Sequence, residues 1–226
     1  MKFLLTILLT LFSFSLFAQQ NVKETQEYKF NKQVYQTASK YNDLEIAKSA
    51  LYRLITLDPS DLSLLDSLAY MYFDKSNFIS SILVTKDIVS RNPKSSGAKE
   101  IMAISFQNLG IKDKALEQYE SLYLMNNDIN TLYQVAFLQY ELKRFKESKT
   151  SIDIILANKN LETQKITFGT SQNTQQEVPM KASILNLKGL IEVENGNKEE
   201  ARTNFENAIK LAPEFEHPKE NLKKLG

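Results

Sequence analysis

The 226-residue sequence has no cysteine, no tryptophan and one histidine, and its 28 Lys+Arg nearly balance 27 Asp+Glu. Without cysteine there is no disulfide framework, no thiolate zinc or iron-sulfur site, no cysteine nucleophile and no lipidated-cysteine anchor. The lone His217 has no second histidine at ligand spacing and no serine in triad context, so it reads as a surface residue. The six glycines are scattered singly, which leaves no phosphate-cradling loop. A near-neutral chain supplies no field to gather phosphates, which argues against nucleic-acid binding. The pairs Glu199-Glu200 and Asp58/Asp61 are assigned to helix starts, where acids complement exposed N–H groups, rather than to a catalytic dyad. No enzyme activity, cofactor or metal is therefore expected. A composition 42% hydrophobic and 24% charged is that of a soluble globular chain with ample material for a core.

The first residues read as an address. Met1-Lys2 is a short basic start, Phe3 to Phe17 an uncharged apolar run, and Ala18 a small residue before the polar Gln19-Gln20-Asn21. This is the pattern of a secretory signal peptide over residues 1–18. The run is shorter than the ~20 residues of a spanning helix, so a signal is the better reading than a stable membrane anchor. Leu16 departs from the small-x-small cleavage pattern, and Ser13-Phe14-Ser15 offers a second cut. Loss of residues 1–18 removes Lys2 and no acid, leaving 27 basic and 27 acidic residues. The expected location is a bacterial periplasm or cell envelope, or the medium.

Beyond the signal the chain repeats itself. Small residues recur at Ala47, Ser81, Ala115, Ser148 and Ala201, and a second register runs through Ala69, Ala103, Ala136 and Gly189. Both registers have a period of 33 or 34 residues and both show the same enlarged gap before their last member. Pro59, Pro93 and Pro213 each follow a first-register residue by twelve, with Asn127 and Asn160 in the other two units. Apolar residues between these marks have helical period, as in Leu44, Ala47, Leu51 and Leu54, and the prolines end helices. Each unit is thus a helix pair whose small residues let two backbones approach. A pair this size cannot bury both faces alone and must stack.

These features resemble the tetratricopeptide repeat family. The best match is Ala182 to Phe215, where Gly189, Gly196, Ala201, Phe205, Ala208 and Pro213 fall on the family's small, turn, small, aromatic, small and proline places. The third unit, with Ala103, Phe106, Gly110, Ala115 and Tyr119, is close, whereas the first has Tyr35 where a small residue is expected. The resemblance implies an all-α, right-handed superhelical solenoid of about five helix pairs. The pairs are placed at about 28–61, 62–95, 96–128, 129–162 and 182–215, with a capping helix at 216–226. Residues 163–181 are an insertion, rich in Thr, Gln and Asn, that reads equally as a hairpin around Ile166 and Phe168 or as an irregular loop.

In this family the first helix of each pair lines a concave groove that binds a protein or peptide partner. The groove places fall on Lys29, Lys32, Gln36 and Lys40; on Asp66, Tyr70, Phe73 and Asp74; and on Glu100, Ile104, Gln107 and Asn108. They continue at Asn130, Tyr133, Phe137, Tyr140 and Glu141, and at Asn186, Leu190, Val193 and Glu194. The stripe expected to bind is Tyr70, Phe73, Ile104, Gln107, Asn108, Tyr133, Phe137 and Tyr140, since aromatic side chains on a rigid wall give large contact area at low entropy cost. The same spacing also serves packing between pairs, a role assigned to Tyr72 and Phe106 and open to Phe73 and Phe137. The family's basic clamp for acidic chaperone tails is absent: Lys32 fits one place, but Gln36, Ser67, Gly97 and Ile101 occupy the others. The implied function is a non-catalytic exported scaffold. Its alternative is a structural subunit of an envelope assembly docking through its convex face, its ends or the insertion.

Overall fold

A computed structural model describes residues 22–169 and 175–226, so the signal segment lies outside the described residues. The described residues hold eleven α-helices and one two-stranded hairpin, and no helix among them is long and apolar enough to cross a membrane. The chain divides into two compact units that meet between Ile101 and Met102. In the first, α1 (Gln26–Lys40) packs on α2 (Leu44–Leu57) and α3 (Leu62–Asp74) on α4 (Phe78–Arg91). Helix α5 (Ser96–Asn108) carries the chain across the boundary. In the second, α6 (Lys112–Asn126) is followed by the pair α7 (Ile129–Glu141) and α8 (Phe145–Leu156). The pair α9 (Met180–Glu194) and α10 (Lys198–Leu211) comes next, and α11 (Glu216–Leu225) closes the chain.

One turn joins the two helices of every pair. Its middle residue is left-handed each time: Asn42, Ser76, Gly110, Lys143 and Gly196, with φ of 58°, 55°, 72°, 61° and 78°. The next residue donates its N–H to a carbonyl five positions back: Asp43 to Ala38, Asn77 to Tyr72, Ile111 to Phe106, Arg144 to Gln139 and Asn197 to Glu192, all at 2.8 or 2.9 Å. This is the Schellman closure, which satisfies carbonyls the helix end would otherwise leave open. Asp43 and Asn77 also cap the following helix, their side chains accepting from the Ile46 and Ser80 N–H groups. Only two of the five left-handed residues are glycine, and a Cβ there costs about 1–2 kcal/mol. Lys143→Gly should therefore raise stability by about 0.5–1 kcal/mol in urea denaturation, after the extra flexibility of the unfolded glycine is subtracted, and Gly196→Ala should lower it by a like amount. If both changes prove neutral, the left-handed turn is not held in solution.

The small residues sit where helices touch. Ala47, Ala69, Ala103, Ala115, Ala136 and Ala201 have 0% exposure. Ser81 donates its hydroxyl to the Ala69 carbonyl at 3.2 Å, and Ser148 to the Ala136 carbonyl at 2.7 Å. The two registers thus face one another, and a serine fits because its one polar group reaches the neighbouring backbone. At Gly189 the approach is closest: a Cβ there would lie 2.4, 2.6 and 2.9 Å from three carbons of the buried Phe205 ring. Tyr35, in the first pair's small slot, is half-buried against Tyr28, Leu51 and Leu54.

The insertion is a hairpin. Strand β1 (Lys165–Gly169) pairs antiparallel with β2 (Gln175–Pro179), Ile166 opposite Val178 and Phe168 opposite Gln176. Alternation puts Phe168 and Val178 on one side, where they pack with Ala182, Ala212 and Phe215. His217 joins them: its ring is 5.2 Å from Phe168 and 5.4 Å from Phe215. The expectation of a surface histidine is corrected accordingly, because His217 is half-buried in a three-ring cluster that fixes the hairpin to the segment entering α11. Asp58 also differs from its expected place. It ends α2 rather than starting a helix, whereas Asp61 caps α3 by accepting from the Ser63 N–H.

Candidate functional site

The expected stripe occupies equivalent places on successive first helices, because each place recurs with the period of the turns. In the first unit these are on α3. Tyr70 is 61% exposed, while Phe73 is half-buried with its ring edge-on to Phe78, 6.0 Å away. Asp66 and Asp74 lie one turn to either side of Tyr70 on the same helix. Asp66 is exposed as a residue, and partial desolvation of its carboxyl raises the pKa from its ordinary value.

The second unit divides the rest. On α5, Ile104 is half-buried. Gln107 accepts the Tyr119 hydroxyl proton at 3.3 Å, and Asn108 donates to the Ile104 carbonyl at 2.9 Å, so these two amides already serve the unit's own structure. Tyr133 on α7 is 6% exposed, and burial raises its phenol pKa well above the ordinary value. Its assignment to an exposed binding wall is therefore corrected: the ring belongs to the core. Phe137 and Tyr140, also on α7, are half-buried. The Tyr140 ring lies 6.0 Å from Phe145, and its phenol is pushed up first by burial, then by the Glu194 and Glu141 carboxylates. Glu141 is paired with Lys112 at 2.8 Å.

Helix α9 lies beside α7 and continues the same rows. Leu190 stands fifty-three residues after Phe137, Val193 after Tyr140, and Glu194 after Glu141. Val193 is 40% exposed, and Leu190 is half-buried beside Phe205 and Leu225. At the other end of α9, Asn186 is buried and accepts from the Asn221 amide at 2.9 Å, so α11 closes that part of the row. The surface left for a partner in this unit is Phe137, Tyr140, Leu190 and Val193, with the carboxylates of Glu141 and Glu194 beside it.

Beneath this surface is a buried charge that sequence reasoning missed. Glu192, 0% exposed on α9, meets the Lys149 ammonium of α8 at 2.5 Å and accepts from the Asn197 amide at 2.7 Å. Burial alone would raise the Glu192 carboxyl, but the Lys149 ammonium and the Asn197 amide, with a smaller contribution from Asn195, together outweigh it and lower the pKa from its ordinary value. The pair ties α8 to α9 across the insertion. Among the described residues, no group of three His, Cys, Asp or Glu is placed to hold a metal ion.

The family described as Tetratricopeptide repeat matches residues 182–215, the stretch that carries Gly189, Phe205 and Pro213. No curated protein matches the sequence. Among solved structures, the fold is similar to that of YrrB, "a TPR protein with an unusual peptide-binding site", at TM-score 0.67 and 15% identity over 84% of this chain and 88% of that one. It is similar to MamA from Desulfovibrio magneticus RS-1 at TM-score 0.62 and 12% identity, over 83% and 96%. A third likeness, at TM-score 0.54 and 17% identity over 89% and 99%, is to a tetratricopeptide repeat protein from Parabacteroides merdae. At these identities the likeness establishes the fold.

Proposed function

We propose that this chain, with its tetratricopeptide repeat match at 182–215 and its likeness in fold to tetratricopeptide repeat proteins, has a non-catalytic role as an exported scaffold that binds a protein or peptide partner on the first helices of its pairs. One observation carries this reading: within each unit, apolar side chains on first helices remain partly open, Tyr70 on α3 in the first unit and Phe137, Tyr140, Leu190 and Val193 on α7 and α9 in the second. Such surfaces bind extended or helical segments through a few large anchors. The basic start and apolar run of residues 1–18 support export to the periplasm or cell envelope of a bacterium, or secretion. The expected partner is not nucleic acid, given 27 basic against 27 acidic residues after Lys2 is lost with the signal.

The test is crosslinked co-purification from the native envelope with the parent protein and a Tyr70→Lys, Tyr140→Lys variant whose helical circular dichroism is unchanged. Both positions are open enough for a lysine to reach water. At least a tenfold loss of the partner from the variant is expected. A partner recovered equally by both proteins rules the first-helix faces out. The docked hairpin favours one alternative, a structural subunit that assembles through residues 163–181. In that case, exchanging the outward Thr167 and Glu177 removes the partner and the tyrosine changes do not.

A further inference from the structure

The two ends of the chain are finished differently. At the C-terminal end, α11 lays Leu222 and Leu225 against Phe205 and Ala201 of the last pair. At the other end, no described element covers the outer face of α1 and α2. Phe30 is 62% exposed, Tyr41 72% and Ile46 50%, and with Val34, Ala38 and Asp43 they line a cleft of about 460 Å³. Phe30, Val34, Ala38 and Tyr41 recur at four- and three-residue steps, so they form one stripe along the helix.

The repeat identifies this stripe. Thirty-four residues after Phe30 and Val34 stand Leu64 and Leu68, 9% and 2% exposed. A further period on stand Ala98 and Met102, 1% and 4% exposed, and the place of Phe30 in the last pair is Ile184, at 0%. These are stacking positions. On α3 they are covered by the second helix of the preceding pair, through Leu51 and Leu54 of α2. At the places of Leu64 and Leu68 the first pair therefore presents Phe30 and Val34, both more exposed than those counterparts.

We propose that the outer face of α1 and α2 is a docking site for an amphipathic helix supplied by a partner protein, held as α2 is held on α3. The internal stacking interface fixes the chemistry of that helix: leucine or another branched apolar residue at three- and four-residue steps, with polar flanks. Its length follows from α1, whose 15 residues extend about 22 Å. A second copy stacking end to end would have to bring its own last pair to this face, and that pair is already covered by α11. This favours an added helix over a second copy of the chain.

The probe is a labelled, helix-stabilised synthetic peptide of residues 43–58, the segment that covers the equivalent face of α3. Fluorescence anisotropy is measured against full-length protein, protein starting at Gln19, and Phe30→Glu and Tyr70→Lys variants of the latter. Phe30 and Tyr70 are both exposed, so neither change is expected to disturb the fold, and unchanged circular dichroism checks this. Binding to the protein starting at Gln19, weakened at least tenfold by Phe30→Glu and unaffected by Tyr70→Lys, is the expected result. Equal binding to the Phe30→Glu protein overturns the proposal. So does a dimer in sedimentation that Phe30→Glu dissociates, because a second copy is then the occupant. Binding by the shortened protein but not the full-length one also overturns it, by making residues 1–18 the occupant.

Discussion

Gly189→Ala should destabilise the second unit by about 2 kcal/mol, although alanine is the better helix former. In a helix interior the change gains about 1 kcal/mol of propensity. Against it stands a Cβ within 2.9 Å of three carbons of the Phe205 ring. Phe205 is 0% exposed and packs with Ala201 and Leu225, so beyond the small cleft it shares with Leu190 and Val193 the ring moves only by displacing core neighbours. Forcing atoms into a filled core costs about 1–3 kcal/mol and occasionally more, and this contact belongs at the upper end. The relief is specific. Phe205→Leu alone loses packing, yet in the Gly189→Ala background it should recover part of the loss, so the two changes together cost less than their sum. Urea denaturation of the parent, both single variants and the double variant measures this. A Gly189→Ala protein as stable as the parent means that α9 and α10 can separate without penalty.

Lys149→Met should cost about 2–3 kcal/mol, because it leaves Glu192 buried without its cation. Removing one partner of a buried pair typically costs about 3–5 kcal/mol. The Lys149 side chain is 41% exposed, so water reaches the site and lowers the figure. Acid should act on the same group. The Glu192 carboxyl is held below its usual range in the folded protein, so its contribution is complete above the unfolded value of about 4.3 and is lost as pH falls through the lower folded value. Glu192→Gln should therefore be less stable than the parent at pH 7, with the gap narrowing as pH drops below about 4. A gap that stays constant from pH 7 to pH 3 places the effect in packing instead.

The helix pairs were legible because two constraints repeat at fixed spacing. A close backbone crossing demands Ala, Ser or Gly, and proline ends a helix, so both leave marks that survive wide change elsewhere. The left-handed turn was only partly legible, since Asn42, Ser76 and Lys143 carry it without glycine. Counting five residues back from each small residue of the first register locates it. The binding stripe was legible as a face and not as a depth. Lys32, Asp66, Glu100 and Tyr133 share one repeat place, yet the first three are exposed and Tyr133 is buried. Periodicity fixes the direction of a side chain, while neighbouring helices decide how far it is covered. His217 and Glu192 were missed for a related reason. Their partners, Phe168 and Lys149, lie far away in sequence, and the intervening insertion carries no period.

The joints inside the pairs and between them also differ in length. Each pair is closed by three residues: 41–43, 75–77, 109–111, 142–144 and 195–197. Between pairs the connection is two residues at 127–128, four at 58–61 and 92–95, and twenty-three at 157–179. The shared Schellman geometry permits no variation in the first set, since an added residue breaks the hydrogen bond five positions back. Length has therefore been free to change only between pairs, and foreign sequence should be tolerated at 58–61 or 92–95 where it is not at 75–77. The same joints are the natural cutting points for transplanting a whole pair into another solenoid.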